Sequence, residues 1–226
     1  MELQELKAFL ENMENDSGET WAKISELLDD VLETGKIQPF INHEVMRPFI
    51  NNSGIYNPFI ATTLGLKLRD SYVLEFGLSF WCDRATEIIK RYSTNILGVG
   101  SGVAFVEYLL QRGGVDIIAS DIKAYHHWEH THMNVEKMSA VDAIEKYPER
   151  DLFICWPTLG SLWSYDAAKK LGSGRYLFHV GELTGCTGDP ELADYLFDEN
   201  DFETIGYCCI PQWLELRDCL TIFRKK

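Results

Sequence analysis

The sequence predicts an α/β fold in which helices cover both faces of a mainly parallel sheet. Short apolar runs typical of buried strands alternate with helical segments through residues 80–226, and this alternation favours parallel strands joined by crossover helices. The last two apolar runs have no helix between them, so these two strands are expected to be antiparallel to each other. A strand, a glycine turn, a helix and a second strand over residues 94–121 form the clearest unit.

The expected elements follow one another from residue 83 onwards. Apolar residues at helical spacing predict a helix over 83–92, with Asp83 as its N-cap. Glycine and proline mark most of the later boundaries. Strands are predicted at 95–99, 115–120, 151–155, 175–180, 202–210 and 219–223, with another ahead of Asp142, and further helices at 104–112, 139–144, 165–171 and 192–198.

Residues 1–79 are predicted to form a separate N-terminal extension that is helical and rich in loops. Two amphipathic helical segments are expected before Gly35, and residues 36–63 combine proline, asparagine and glycine with aromatic residues. This loop-rich segment is either a packed connection or a lid over a ligand crevice. Residues 80–226 would then form the ligand-binding domain.

Composition indicates an ordinary soluble protein. The chain has 226 residues, of which 46% are hydrophobic and 25% are charged, and no apolar run approaches the ~20 residues of a membrane span. The acidic, amphipathic N-terminus is unlike a signal or transit peptide, so a cytoplasmic location without membrane attachment is expected. The six cysteines show no CxxC pairing and are expected to be reduced.

The net charge of −14 disfavours phosphate backbones as partners. A nucleic-acid substrate is therefore not expected, whereas a small molecule or a protein side chain is compatible with the charge. The sequence does not indicate an oligomeric state.

The glycine turn and the acid after the second strand predict a nucleotide-type site. Glycines lack the Cβ that would keep a ligand away from the backbone. Asp121 follows Gly102 by 19 residues (121 − 102), close to the ~20-residue spacing of an acid that accepts hydrogen bonds from ribose hydroxyls.

The spacing of the glycines favours S-adenosylmethionine (SAM) over a dinucleotide. The dinucleotide pattern Gly-x-Gly-x-x-Gly fails, because its last position is Val103 when counted from Gly98 and Phe105 when counted from Gly100. The SAM pattern (Asp/Glu)-x-Gly-x-Gly-x-Gly aligns with two of its three glycines and has Ala104 at the third, but Gly98 replaces its leading acid. A Rossmann-like core with an empty crevice is the alternative.

The order of elements resembles the seven-stranded Rossmann-like (class I) SAM-dependent methyltransferases. The phrases DLFICWPTLG (151–160), YLFHVGELTGCTGD (176–189) and CCIPQWLELRDCLTIFRK (208–225) are similar to a mostly uncharacterised methyltransferase-like group. That group reads Trp-Pro-Pro-Tyr, Gly-Glu-x-x-Gly-Cys-Thr and Ile-Pro-Gln-Trp at these places. The resemblance covers about residues 80–226 and implies a seven-stranded, mainly parallel sheet with an antiparallel last strand and SAM as cofactor.

A cofactor site follows from the motif and the resemblance together. The turn would line the methionine end, Asp121 with Ile122 would hold the ribose, and Asp142 would lie at the adenine unless it caps a helix instead. Glu107 could replace the acid missing at Gly98 if it pointed back to the turn, although a solvent-facing side chain is the simpler expectation. The complete set is Gly98, Gly100, Ser101, Gly102, Ala104, Glu107, Asp121, Ile122 and Asp142.

A substrate site is expected beyond the carboxyl ends of the later strands, where ligands of open parallel sheets bind. Trp156 could stack on a planar substrate, or could simply be a rim aromatic. Glu182 could orient or deprotonate an amine or hydroxyl, or could serve in a cap or salt bridge. Pro157, Thr158 and Trp213 complete the predicted substrate side.

Departures from the family pattern open a second functional hypothesis. Thr158-Leu159 replaces the Pro-Tyr half of Trp-Pro-Pro-Tyr, and Gly98 replaces an acid. Positioning supplies much of the acceleration of methyl transfer, so the alternative is a catalytically silent module for SAM binding or protein association. A zinc site at the histidine-rich stretch 126–132 is conceivable, but no paired cysteine supports it and no metal is expected.

Overall fold

The structure is a computed structural model that describes residues 81–123, 131–198, 200–210 and 216–226, together with Val73 and Gly77. The helices are α1 (Asp83–Lys90), α2 (Phe105–Arg112), α3 (Ala140–Lys146), α4 (Trp163–Lys170) and α5 (Pro190–Phe197). The strands are β1 (Asn95–Val99), β2 (Asp116–Asp121), β3 (Val135–Lys137), β4 (Asp151–Cys155), β5 (Tyr176–Gly181), β6 (Phe202–Cys209) and β7 (Cys219–Lys225).

Within the described residues, seven strands form one sheet in the order β3-β2-β1-β4-β5-β7-β6. The pairs among β1 to β5 are parallel, and β7 is antiparallel to both β5 and β6. The predicted α/β, Rossmann-like class with an antiparallel last strand is therefore confirmed. Because the strand order reverses between β1 and β4, a ligand crevice is expected at the carboxyl ends of these two strands.

Both faces of the sheet are covered, as predicted. Successive strand residues point to opposite faces, so Ile96 packs with α1 and α2, whereas its neighbour Leu97 packs with α3, α4 and α5. Phe153 and Phe178 are 0% exposed at the centre of the sheet. Burial of these apolar faces supplies the main driving force for folding.

The start of α1 corrects one detail of the sequence analysis. Asp83 is the first helical residue rather than the N-cap; the N-cap is Cys82, whose side chain makes no capping hydrogen bond. The indole Nε1–H of Trp81 donates to Thr86 Oγ1 at 2.8 Å instead, which ties the chain before the helix to its first turn. An acid at this place still interacts favourably with the helix dipole.

The N-terminal extension predicted for residues 1–79 lies outside the described residues, apart from Val73 and Gly77. The chain divides into two compact units, residues 1–78 with 212–215, and residues 79–211 with 216–226. Where the structure describes the chain, it contains no helix long and apolar enough to cross a membrane.

A histidine is buried in the middle of the sheet. His179 of β5 is 0% exposed and lies in register with Ile154 on one side and Thr221 on the other. Neither of its ring nitrogens has a hydrogen-bond partner within the described part of the chain. Burial lowers the pKa of His179 to about 4, so the ring is neutral in the folded protein at physiological pH.

We expect His179→Leu to reduce the loss of stability in mild acid. An unfolded histidine binds a proton near pH 6.5, whereas folded His179 does so only near pH 4. Between these values the unfolded state binds more protons, so the wild type loses stability as pH falls, by about 3 kcal/mol in total.

Urea unfolding of both proteins at several pH values between 7 and 4 measures this difference. The variant's free energy of unfolding should fall less steeply between pH 6.5 and 4, and the two curves should run parallel above pH 6.5. If the two stability curves stay parallel over the whole pH range, His179 is either charged in the folded protein or in contact with water.

Candidate functional site

The chain between β1 and α2 forms a left-handed bend. Gly100 and Gly102 have φ values of 66° and 55°, and Ala104 has φ 56°. An L-residue in this region costs roughly 1–2 kcal/mol, which explains glycine at two of the three positions and makes Ala104 a strained substitute. The Ala104 N–H donates to the Ser101 carbonyl at 2.7 Å and closes the bend.

The Asp121 carboxylate faces this bend from the end of β2. The Gly102 N–H donates to Asp121 Oδ2 at 3.1 Å, and the Lys123 N–H donates to Oδ1 at 2.9 Å. A carboxylate offers about four lone-pair sites, so each oxygen keeps capacity for another donor, such as a hydroxyl. Asp121 is 4% exposed, and this burial strengthens its hydrogen bonds.

A second carboxylate lies under the bend, contrary to the expectation that Glu107 faces solvent. Glu107 is 2% exposed and points back towards β1. A Cβ on Gly98 would lie 2.9 Å from both Cγ and Oε1 of Glu107 and 3.1 Å from Ser101 Oγ. Glu107 therefore occupies the space that an acidic side chain at Gly98 would need, and the glycine is required for its approach.

The pKa of Glu107 is raised to about 7. Burial is the main cause, because it disfavours the charged form, and the negative charge of Asp121 acts in the same direction. The nearby Ser101 hydroxyl lowers the pKa, although its geometry is not that of a hydrogen bond and Ser101 Oγ is buried without a partner among the described residues. This carboxyl is consequently near half ionised at neutral pH.

Trp163 at the start of α4 lies against the bend, and the sequence analysis did not identify it. A Cβ on Gly100 would lie 2.5 Å from Cη2 and 2.8 Å from Cζ2 of this indole. The only available signal is topological: the helix after β4 begins at the same sheet edge as the glycine turn. By contrast, no described residue lies within 4 Å of a Cβ on Gly102.

The substrate side is arranged around Trp156, just beyond β4. Trp156 has φ 51°, and its indole Nε1–H donates to Asp218 Oδ2 at 3.0 Å. Asp218 is 0% exposed. Burial and, to a smaller extent, the negative charge of Glu182 raise the pKa of Asp218 to about 6, while the indole hydrogen bond opposes this rise. Sequence reasoning missed Asp218, because nothing in its neighbourhood along the chain indicates a buried partner.

Glu182, at the end of β5, is engaged by groups of the protein itself. Its Oε1 accepts a hydrogen bond from the Arg217 N–H, and its Oε2 accepts one from Cys186 Sγ at 3.2 Å. Burial and the adjacent Glu182 carboxylate raise the pKa of Cys186 to about 11. The thiol is therefore protonated at neutral pH and is a poor nucleophile.

The remaining predicted residues lie in diverse settings. Pro157 is buried, and its carbonyl accepts from the Gly188 N–H at 2.8 Å, whereas Thr158 is exposed. Ile122 is 63% exposed. Asp142 is exposed and accepts from the hydroxyl of Ser139, the N-cap of α3, at 2.6 Å. Trp213 lies outside the described residues.

Part of the histidine-rich stretch also lies outside the described residues, namely His126, His127 and His130. The ring of His132 packs against Phe105 of α2, with centroids 4.8 Å apart. The residues that the structure describes contain no group of three or more histidine, cysteine or acidic side chains arranged to hold a metal ion.

Comparison with known proteins gives a distant structural likeness. No protein-family model and no curated protein matches the chain. One similar structure is that of a Streptococcus mutans protein named as a proposed methyltransferase and crystallised with S-adenosylhomocysteine (SAH). It has 9% identity and a TM-score of 0.38, over 63% of this chain and 95% of that one. A protein of the NADB-Rossmann superfamily from Streptococcus agalactiae has 18% identity and a TM-score of 0.42, over 66% of this chain and 70% of that one.

A third similar structure, from Clostridium thermocellum, is named as a proposed rRNA methylase. It has 13% identity and a TM-score of 0.42, over 66% of this chain and 100% of that one. Similarity this distant says nothing about activity, so the fold assignment rests on the strand order and the site is interpreted from its own geometry.

The two turn glycines make a matched pair of test positions. We expect Gly100→Ala to destabilise the protein by about 2–4 kcal/mol, because it combines left-handed strain with a clash against Trp163. Gly102→Ala meets no neighbour among the described residues, so it should destabilise the protein by the left-handed strain alone, about 1–2 kcal/mol.

Chemical unfolding in urea gives both free energies. Adding Trp163→Leu to the Gly100→Ala protein should recover part of the larger loss. Equal losses at the two glycines would indicate that the indole does not pack on the turn in solution.

Proposed function

We propose that this protein binds SAM at the bend between β1 and α2 and transfers its methyl group to a small molecule or a protein side chain. The observation that carries the proposal is the Asp121 carboxylate, which faces the Gly102 N–H across the carboxyl ends of β1 and β2. Backbone amides at a bend with two glycines, opposite an acid at the end of the next strand, match what an adenosyl group requires.

The chemistry of the residues fits this cofactor. The part of the chain that the structure describes leaves the space beside Gly102 open, so its own side chains do not keep a ligand from the backbone there. The amino acid part of SAM carries an ammonium group, which the buried Glu107 carboxylate would pair with. Asp121 would accept from the ribose hydroxyls. In this proposal Ile122 and Asp142 border the adenosine, and Gly98, Gly100, Ser101 and Ala104 shape the methionine end.

When bound, SAM supplies an electrophilic methyl group on a sulfonium, and the protein's task is to bring an acceptor into line with it. Trp156, fixed by its hydrogen bond to Asp218, would form one wall of the acceptor site. Asp218 and Glu182 would orient an amine or hydroxyl and receive its proton. Pro157, Thr158 and Trp213 would complete this side.

Binding is the first test of the proposal. We expect SAM or SAH at up to millimolar concentration to give measurable heat in calorimetry and to raise the melting temperature, because a ligand that binds only the folded state stabilises it. Asp121→Asn should weaken binding about 10- to 100-fold, through the loss of charge-assisted hydrogen bonds.

Asp116→Asn is the matched control, since Asp116 lies at the opposite end of the same strand and pairs with Arg150 at 2.9 Å. It should bind as the wild type does. The absence of both heat and thermal shift with the wild type would remove the basis for SAM as cofactor.

A catalytically silent module for SAM binding or protein association is the second candidate. The observation that favours it is the engagement of Glu182 by Arg217 and Cys186, which leaves less capacity for an acceptor. The exposed Thr158 and Leu159, at the place of a Pro-Tyr pair in the similar group, point the same way.

Release of labelled methyl groups distinguishes the two candidates. For an enzyme we expect label from SAM to appear in an acceptor when the protein is incubated with pooled metabolites or with cell lysate. Trp156→Ala should lower this turnover at least tenfold and leave SAH binding nearly unchanged, because the wall of the acceptor site is lost while the bend is retained. Turnover by the wild type excludes the silent module; cofactor binding with no turnover in any pool favours it.

A further inference from the structure

A notch in β1 receives a buried carboxyl group. Gly98 is the penultimate residue of β1. The Glu107 side chain extends from the first turn of α2 into the space that a side chain at position 98 would fill. Both Cγ and Oε1 of Glu107 lie 2.9 Å from the position of a Cβ. This pairing of a glycine on the strand with a glutamate on the helix places an acid directly beneath the glycine bend.

The surroundings of Glu107 are negative and polar but provide no cation within the described residues. From β2, the charged group that acts on it is Asp121. From the bend, Glu107 meets the Ser101 hydroxyl, which is buried and has no hydrogen-bond partner among the described residues. On α2 itself the other titratable side chains are Tyr108 and Arg112, and the Arg112 guanidinium donates to the Tyr108 hydroxyl at 3.1 Å. The ring of His132 packs on Phe105 and Tyr108 of this helix. Two buried carboxyls without a cation favour a cationic ligand.

A carboxyl group that is buried without a cation avoids an uncompensated charge by staying protonated. Burial raises the pKa of Glu107 to about 7, so much of the protein holds this proton at and below neutral pH. An ammonium group in contact with Glu107 would favour the charged form and lower that pKa. The proton would then leave for the solvent as the ligand binds.

We propose that the bend takes its ligand in exchange for a proton held by Glu107, so that a ligand with an ammonium group binds more tightly as pH rises and one without it does not. This inference rests on the proposed function, because SAM and SAH carry that ammonium group on their amino acid part. It adds a recognition element that the β1 motif lacks and a dependence of cofactor affinity on cellular pH.

Two ligands with the same adenosine distinguish this role. SAH carries the ammonium, and 5′-methylthioadenosine carries the adenosine and sulfur without the amino acid. Between pH 5.5 and 7 an α-amino group stays charged, so the change in SAH affinity reports on the protein. We expect SAH to bind about tenfold more tightly at pH 7 than at pH 5.5, as the ionised fraction of Glu107 grows, whereas methylthioadenosine should change less than twofold.

Glu107→Gln keeps the size and removes the charge. In this variant SAH should bind more weakly at pH 7 and lose its pH dependence, with the affinity for methylthioadenosine unchanged. A merely structural Glu107 would instead alter both ligands together. Calorimetry of the wild type in two buffers with different ionisation enthalpies gives a second readout that needs no variant. At pH 6 it should detect the release of nearly one proton with SAH and none with methylthioadenosine.

The outcomes separate this inference from the proposed function. If both ligands bind with the same pH dependence, or if Glu107→Gln keeps the wild-type slope for SAH, Glu107 does not hold the ammonium, although SAM remains the cofactor. If neither ligand binds at any pH, the proposed function fails and this inference fails with it. Asp218, whose pKa is about 6, is present in both proteins and would affect their slopes equally.

Discussion

The hydrogen bond from the Gly102 N–H to the Asp121 carboxylate is the constraint on which the site depends. The bend has left-handed backbone at three alternate positions, a conformation that local preference does not maintain. Its attachment to β2, which includes the Ser101 N–H on the Ser120 carbonyl at 3.1 Å, keeps it in place. The amides of the bend thereby acquire a fixed orientation before any ligand arrives, and binding energy is not spent on ordering them.

Buried ionisable groups make this domain less stable than an apolar core would allow, but their pH dependences oppose one another. The raised pKa values of Glu107 and Asp218 contribute stability in acid that is lost as pH rises towards 7. The lowered pKa of His179 contributes stability near neutral pH that is lost as pH falls towards 4. The windows overlap, so a shallow overall profile would conceal large individual contributions. Perturbed carboxyls at the ends of strands are also typical of functional sites.

Elements and side chains differed in how far the sequence could predict them. The α/β class, the strand at residues 116–121 and the proximity of Asp121 to Gly102 depend on local periodicity and on a known crossover geometry, and the sequence carries both. The burial of Glu107 and the contact between Trp163 and Gly100 depend on how helices rotate over the sheet. Single-residue patterns do not encode that rotation, and for the same reason Asp218 could not be recognised as the partner of Trp156.

The cofactor side and the acceptor side of the sheet edge differ in the hydrogen bonds that a ligand must replace. At the ends of β1 and β2, Asp121 keeps lone pairs for a ligand beside its two backbone donors, and Glu107 has no cation among the described residues, so a ligand there can add contacts to those already made. On β4, β5 and β7 the acids already have donors: the Trp156 indole for Asp218 and the Arg217 amide for Glu182. An acceptor must replace those hydrogen bonds with equally good ones, because a buried polar group left unpaired costs about 1–3 kcal/mol. A site of this kind rejects compounds that fill the space without the right donors, so the choice of acceptor should be narrow.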